Sequence, residues 1–361
     1  MAFSISFLLI LTIMSLDDIS KNKVFKFLWP LIFMILSYGI ASKVYQDEYR
    51  KFYFLIEDNI GSLENFWKIF FEKGWVFAIY TKFANTLNLG PILYIMIPSF
   101  VSLMIQKNFF YKHSNLPVIT LFFFFSHGFI VRESVTIRSA IVASIIIILI
   151  SSLCEKKNLK FYIYLFIATG IHYLAILAGL LIFLKKLLFP YKYILIIIFT
   201  FTCSFLGLPK LILTLVGQKF SIVDIYLNSF YANPITFDNP KLIQQIGTTF
   251  FLIFVIKNYR REIIDNSILV VSINAYILST ILFIFFKDFG IFAFRSAGMF
   301  SVVEPLIIVF ILTKLFKKKS SWFIGIIICI LIFLVNYLLL NRNAIYNNDK
   351  SSGRPYSERL R

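Results

Sequence analysis

The chain has 361 residues, 59% of them hydrophobic and 19% aromatic, with only 15% charged and a mean hydropathy of +0.82. Soluble domains sit near ~45–50% apolar and ~25% charged, so a chain folded around one core and coated with water is excluded. The net charge of +18 does not point to nucleic acid, because the basic residues fall in short connectors between apolar blocks and make no continuous basic face.

Ala2–Leu16 lacks the basic start and small-residue cleavage site of a signal peptide, and is expected to be a retained first helix. Long apolar blocks follow at Val24–Ser42, Ser134–Leu153, Phe161–Leu184, Ser267–Phe286 and Trp322–Leu340. Each approaches the ~20 residues needed to cross a ~30 Å hydrocarbon layer. None alternates with period two, so helices are expected and barrel strands are not. The expected fold is all-α: one polytopic membrane domain over residues 1–340, with roughly 10–12 transmembrane or re-entrant helices. Residues 341–361 form a polar tail. Cys154, Cys203 and Cys329 are far apart and include no CxxC pair, so neither a disulfide framework nor a zinc site is expected.

Basic residues punctuate the blocks in clusters: Lys21 and Lys23; Lys107 and Lys112; Lys156, Lys157 and Lys160; Lys185, Lys186 and Lys192; Lys257, Arg260 and Arg261; and Lys314 with Lys317–Lys319. Short Lys/Arg-rich loops mark the cytoplasmic side. That rule places two longer connectors outside, Lys43–Gly74 and Leu208–Lys241. It also leaves two segments with both ends on one face, Trp75–Leu89 and Phe161–Leu184. A segment that enters and leaves on one face is a re-entrant or broken helix pair, with Gly170 the natural breakpoint of the second and His172 at its outer turn. The alternative is a simple span with Lys185 and Lys186 outside.

Ionisable side chains at membrane depth are costly, and each is a site candidate by default. On this threading Arg132, Arg138, His172, His127 and Arg295 gather near the outer face, with Glu304 deeper and Asp47 and Glu72 in the first outer loop. Each has a second reading. Arg138 and Arg295 snorkel to headgroups, His172 and His127 are packing histidines, and Glu304 is a structural tie to a basic neighbour. Asp47 and Glu72 are solvated loop carboxylates. No DxD or His/Glu ligand cluster is present, so neither metal nor cofactor is expected.

Several runs resemble one family. Ile137-Arg138-Ser139-Ala140-Ile141-Val142-Ala143, the connector Glu155-Lys156-Lys157, and Ala168-Thr169-Gly170-Ile171-His172-Tyr173 are similar to the Arg…Ala-rich helix and Phe/Ile-His signature of the EpsG-type family. Asp47-Glu48-Tyr49, Phe71-Glu72-Lys73-Gly74-Trp75 and Phe294-Arg295-Ser296-Ala297-Gly298-Met299-Phe300 resemble its outer-loop and late-helix elements. Ser139 stands where that family often has Gln, so no polar role is carried over to it.

The resemblance implies a Wzy-like glycosyltransferase in the bacterial plasma membrane. Such an enzyme joins undecaprenyl-diphosphate-linked oligosaccharide repeat units at the outer face, building O-antigen of lipopolysaccharide, capsule or exopolysaccharide. Arg138, Arg295 and Arg132 would neutralise the leaving diphosphate, since their planar fork suits phosphate oxygens. His172 would be the general base, with Glu72 second in line. Asp47 and Tyr49 would position sugars, and Glu304 would line the substrate site. The expected partners are the lipid-linked oligosaccharide and the bilayer, with a flippase and a chain-length regulator alongside. The competing readings are a lipid-linked oligosaccharide flippase or other transporter, and another polyprenyl-dependent glycosyltransferase or an O-acyltransferase.

Overall fold

The computed structural model describes residues 9–20, 24–42, 53, 70, 74–126, 137–217 and 234–351. Within them every regular element is helical and no strand occurs. The elements are α1 (9–14), α2 (Trp29–Ala41), α3 (Trp75–Thr86), α4 (Gly90–His113), α5 (Pro117–Phe123), α6 (Ile137–Cys154) and α7 (Asn158–Ile171). A 3-10 arm (Tyr173–Leu184) follows, then α8 (Pro190–Phe205), α9 (Leu208–Gly217), α10 (Pro240–Ile264), α11 (Ser267–Phe285), α12 (Gly290–Phe300), α13 (Glu304–Leu315) and α14 (Lys318–Ser351).

Five stretches are long and apolar enough to cross a membrane: α4, α6, α11, Phe292–Leu315 (α12 continued into α13) and Lys318–Val335. A sixth arises if α8 and α9, bent by 67° to one another, count as one span. The remaining apolar helices, including α7 and the 3-10 arm, are shorter. Exposed Phe and Ile side chains stud the outer helices, as Phe199 (69%) and Phe205 (87%) do on α8. In water such a surface would aggregate, whereas hydrocarbon solvates it. The polytopic all-α expectation is met.

Polar side chains tie the spans where lipid offers no hydrophobic drive for helices to associate. Ser102 on α4 bonds Ser144 on α6 (2.7 Å), and the Gln106 amide donates to the same Ser144 (3.0 Å). Thr249 and Thr280 pair between α10 and α11 (2.7 Å).

The basic connectors gather at one end of the bundle. Glu155 is surrounded by the charges of Lys157, Lys112 and Lys160, Lys185 acts on Cys154, and Lys314 pairs with Glu262. At that end both carboxylate oxygens of Asp18 accept from the first backbone N–H groups of α5, Val118 (3.0 Å) and Ile119 (2.8 Å). The Trp322 indole donates to the Ser15 carbonyl (2.9 Å), tying the start of the chain to α14.

Phe161–Leu184 is a hairpin. Leu165 and Gly179, seven residues to either side of His172, come within van der Waals reach: a Cβ on Gly179 would lie 3.6 Å from Leu165. A straight helix would hold them ~21 Å apart. Both arms therefore start and finish at the basic end, and His172 marks the turn. Three expected boundaries move: Lys107 and Lys112, expected in a connector, lie inside α4, which runs to His113; Leu208–Gly217 of the second expected outer connector is helix α9; and α14 runs to Ser351, into the expected polar tail.

Candidate functional site

His172 leaves the helical backbone (φ −151°, ψ 117°), ending α7 and starting the 3-10 arm. It is buried, 8% exposed. Its Nδ1 accepts from the Leu174 backbone N–H (3.4 Å), capping the arm. A neutral imidazole that accepts at Nδ1 carries its proton on Nε2, so Nε2 is the nitrogen left to donate outward.

Two arginines converge on this turn, and the charges of Arg138 and Arg295 both act on the His172 ring. Arg138 is the second residue of α6, half-buried, with its guanidinium 5.5 Å from the centroid of Phe77 on α3. Arg295 is half-buried on α12, and Ser279 of α11 steadies its helix by donating to the Ala297 carbonyl (2.7 Å).

The end of the first outer loop is clamped onto the same turn. Gly74 has φ +118°, a conformation side chains disfavour, and a Cβ there would collide with the Gly170 carbonyl. A Cβ on Gly170 would in turn strike the Trp75 indole. Glycine at both positions lets two backbones touch. Trp75 packs on Phe166 (4.9 Å between centroids), and the Tyr173 hydroxyl donates to the Phe70 carbonyl (3.0 Å). Gly74 is two residues after Glu72 in sequence, and Gly170 is two before His172.

Of the expected site residues, Arg138, His172 and Arg295 come together. Glu304 is buried, 3% exposed, and its carboxylate accepts from Lys241 (3.3 Å), Gln244 (3.1 Å) and the Tyr276 hydroxyl (3.2 Å). That is the ion-paired tie of its second reading. Asp47, Tyr49, Glu72, His127 and Arg132 lie outside the described residues. Phe77, Tyr173 and the Gly74–Gly170 contact join the site without having been singled out for a role. Only the Glu-x-Gly-aromatic run signalled the last, and it does not say what the glycine touches. Among the described residues no group of three or more His, Cys, Asp or Glu is placed to hold a metal ion.

No curated protein and no solved structure matches the chain. The EpsG family profile does, over residues 26–351, and so takes in the Arg138 helix, the His172 hairpin and the Arg295 helix alike. The chain belongs to the EpsG family and is a membrane protein of polysaccharide biosynthesis.

Proposed function

We propose that this protein is a polysaccharide polymerase, which transfers a growing glycan from undecaprenyl diphosphate onto a second lipid-linked repeat unit at the outer membrane face. The observation that carries the reading is two half-buried arginines beside one buried histidine, at the end of the bundle opposite the basic connectors around Glu155. An acceptor sugar hydroxyl attacks the anomeric carbon of the donor glycan. The bond from that carbon to the diphosphate oxygen breaks, and undecaprenyl diphosphate leaves with the electron pair.

Arg138 and Arg295 meet the charge that develops on the leaving group, where preorganised donors are worth most. His172, protonated on Nε2 in its capping tautomer, donates to the same oxygens. The hydroxyl proton then passes to a carboxylate, and Glu72 takes the base role. This assignment favours the second-choice base over His172, because a ring nitrogen that already bears a proton accepts none.

Deleting the protein from its host and resolving surface glycan on a gel tests the reading. The polymer ladder should vanish while a single-repeat product persists; a flippase deletion would remove both. In the complemented strain, Glu72→Gln should cost about 10²–10⁴ in rate, the usual worth of a general base. His172→Gln, which keeps a donor, should retain far more activity than His172→Ala. Equal loss in the two His172 variants with an active Glu72→Gln would return the base role to His172.

A further inference from the structure

The α2–α4 seam ends, at the basic end of the bundle, in a pair of lysines around one tyrosine. Lys107 lies on α4 about 9 Å short of the end of the helix at His113. Its side chain is almost wholly covered, 7% exposed. The ammonium reaches Asn108 Oδ1 (3.3 Å) and stands 5.5 Å from the centroid of Tyr111. Lys26, exposed just before α2, stands 5.8 Å from the same centroid, and its charge acts on Lys107.

Among the described residues neither lysine forms an ion pair with a carboxylate. The two nearby acids are engaged elsewhere. Asp17 accepts from the Phe25 N–H (2.8 Å), and Asp18 caps α5 and faces Lys318. The Tyr111 hydroxyl is occupied by the Trp29 indole, which donates to it at 2.6 Å. Two like charges thus share one ring while both nearby carboxylates are taken up by backbone N–H groups, an arrangement that an added anion relieves. Phe27 (72%), next to Lys26, and Leu31 (56%) on α2 and Val101 (49%) on α4 are exposed apolar side chains.

We propose that Lys26 and Lys107 bind the phosphate of an anionic lipid headgroup, with the acyl chains along the Phe27–Leu31–Val101 surface. Basic pockets between helices at the cytoplasmic side take such headgroups, and each lysine near the surface is worth about a factor of five in affinity. A free phosphate offers the same oxygens but gains nothing from the apolar strip.

Native mass spectrometry of the full-length protein, loaded with phosphatidylglycerol or phosphatidylcholine, tests this. Wild type should hold phosphatidylglycerol about twenty-five-fold more tightly than the Lys26→Gln/Lys107→Gln variant. Phosphatidylcholine should not distinguish the two proteins, and a Lys156→Gln/Lys157→Gln control should bind as wild type. Should the Lys107 change prevent folding, Lys26→Gln alone, at an exposed position, is expected to lose about fivefold. Equal phosphatidylglycerol retention by wild type and the lysine variants overturns the site. Displacement of the lipid by millimolar inorganic phosphate, bound with the same dependence on both lysines, overturns the lipid as its ligand.

Discussion

Gly74 and Gly170 show what one atom decides at this site. Gly74 sits in a backbone region costing other residues about 1–3 kcal/mol, and its missing Cβ is the space the Gly170 carbonyl occupies. Gly74→Ala should therefore lower thermal stability in detergent by at least about 2 kcal/mol and reduce polymer output in proportion to the folded protein. Gly39→Ala, in the interior of α2 with nothing within 4 Å of the new carbon, should be neutral or stabilising by up to ~1 kcal/mol. A melting curve that ranks the two the other way would remove the close approach. Arg138, His172 and Arg295 were legible in the sequence because charge inside an apolar run is conspicuous. The glycine pair was not: its members are 96 positions apart, and nothing in either local pattern names the other.

At the scale of one element, the 3-10 winding lets the shorter stretch reach at least as far as the longer one. The arm's 12 residues, at ~2.0 Å each, extend ~24 Å, against ~21 Å for the 14 residues of α7. An ordinary α-helix of that length would reach only ~18 Å, short of the length of α7. Three residues per turn also sets which side chains face inward: Ala175, Ala178 and Leu181, each 0% exposed. Small residues there let the arm press on its neighbours. Ala178→Leu should overpack that face, cost about 1–3 kcal/mol and weaken activity through the His172 turn. Gly179→Ala should be tolerated, because its new carbon makes only ordinary contact with Leu165 at 3.6 Å. Unfolding midpoints and surface-glycan gels on the two variants check both statements. The existence of the turn could be read from Lys160 and Lys185 sharing a side. The 3-10 winding could not, since a continuous apolar run carries no period to distinguish three residues per turn from 3.6.

For the whole molecule, the hairpin fixes which end of each helix shares a face with which, and that can be measured. The ends near Lys112, Glu155, Lys160, Lys185 and Lys314 come together in the fold. Asn274 pins the close of the hairpin there, donating to the Leu184 (2.6 Å) and Lys186 (3.1 Å) carbonyls. At the opposite end the Ile235 N–H donates to the Lys287 carbonyl (2.7 Å), and Phe237 stacks on Phe201. Lysine-rich ends resist translocation, so the first group is expected in the cytoplasm and the second outside. With Cys154, Cys203 and Cys329 replaced, single cysteines at Asn158, Lys186 and Asn258 should resist a membrane-impermeant thiol reagent on intact cells and react after the membrane is opened. Cysteines at Thr86 and Asp238 should react from outside at once. The informative pair is Asn158 with Lys186, which flank the hairpin. An unbroken span would put them on opposite faces, so labelling of Lys186→Cys but not Asn158→Cys from outside would abolish the turn, and with it the meeting of Arg138 and Arg295 at His172. Labelling of both from outside would keep the hairpin but invert the molecule, moving the arginine–histidine cluster to the cytoplasmic face, where no exported repeat unit could reach it.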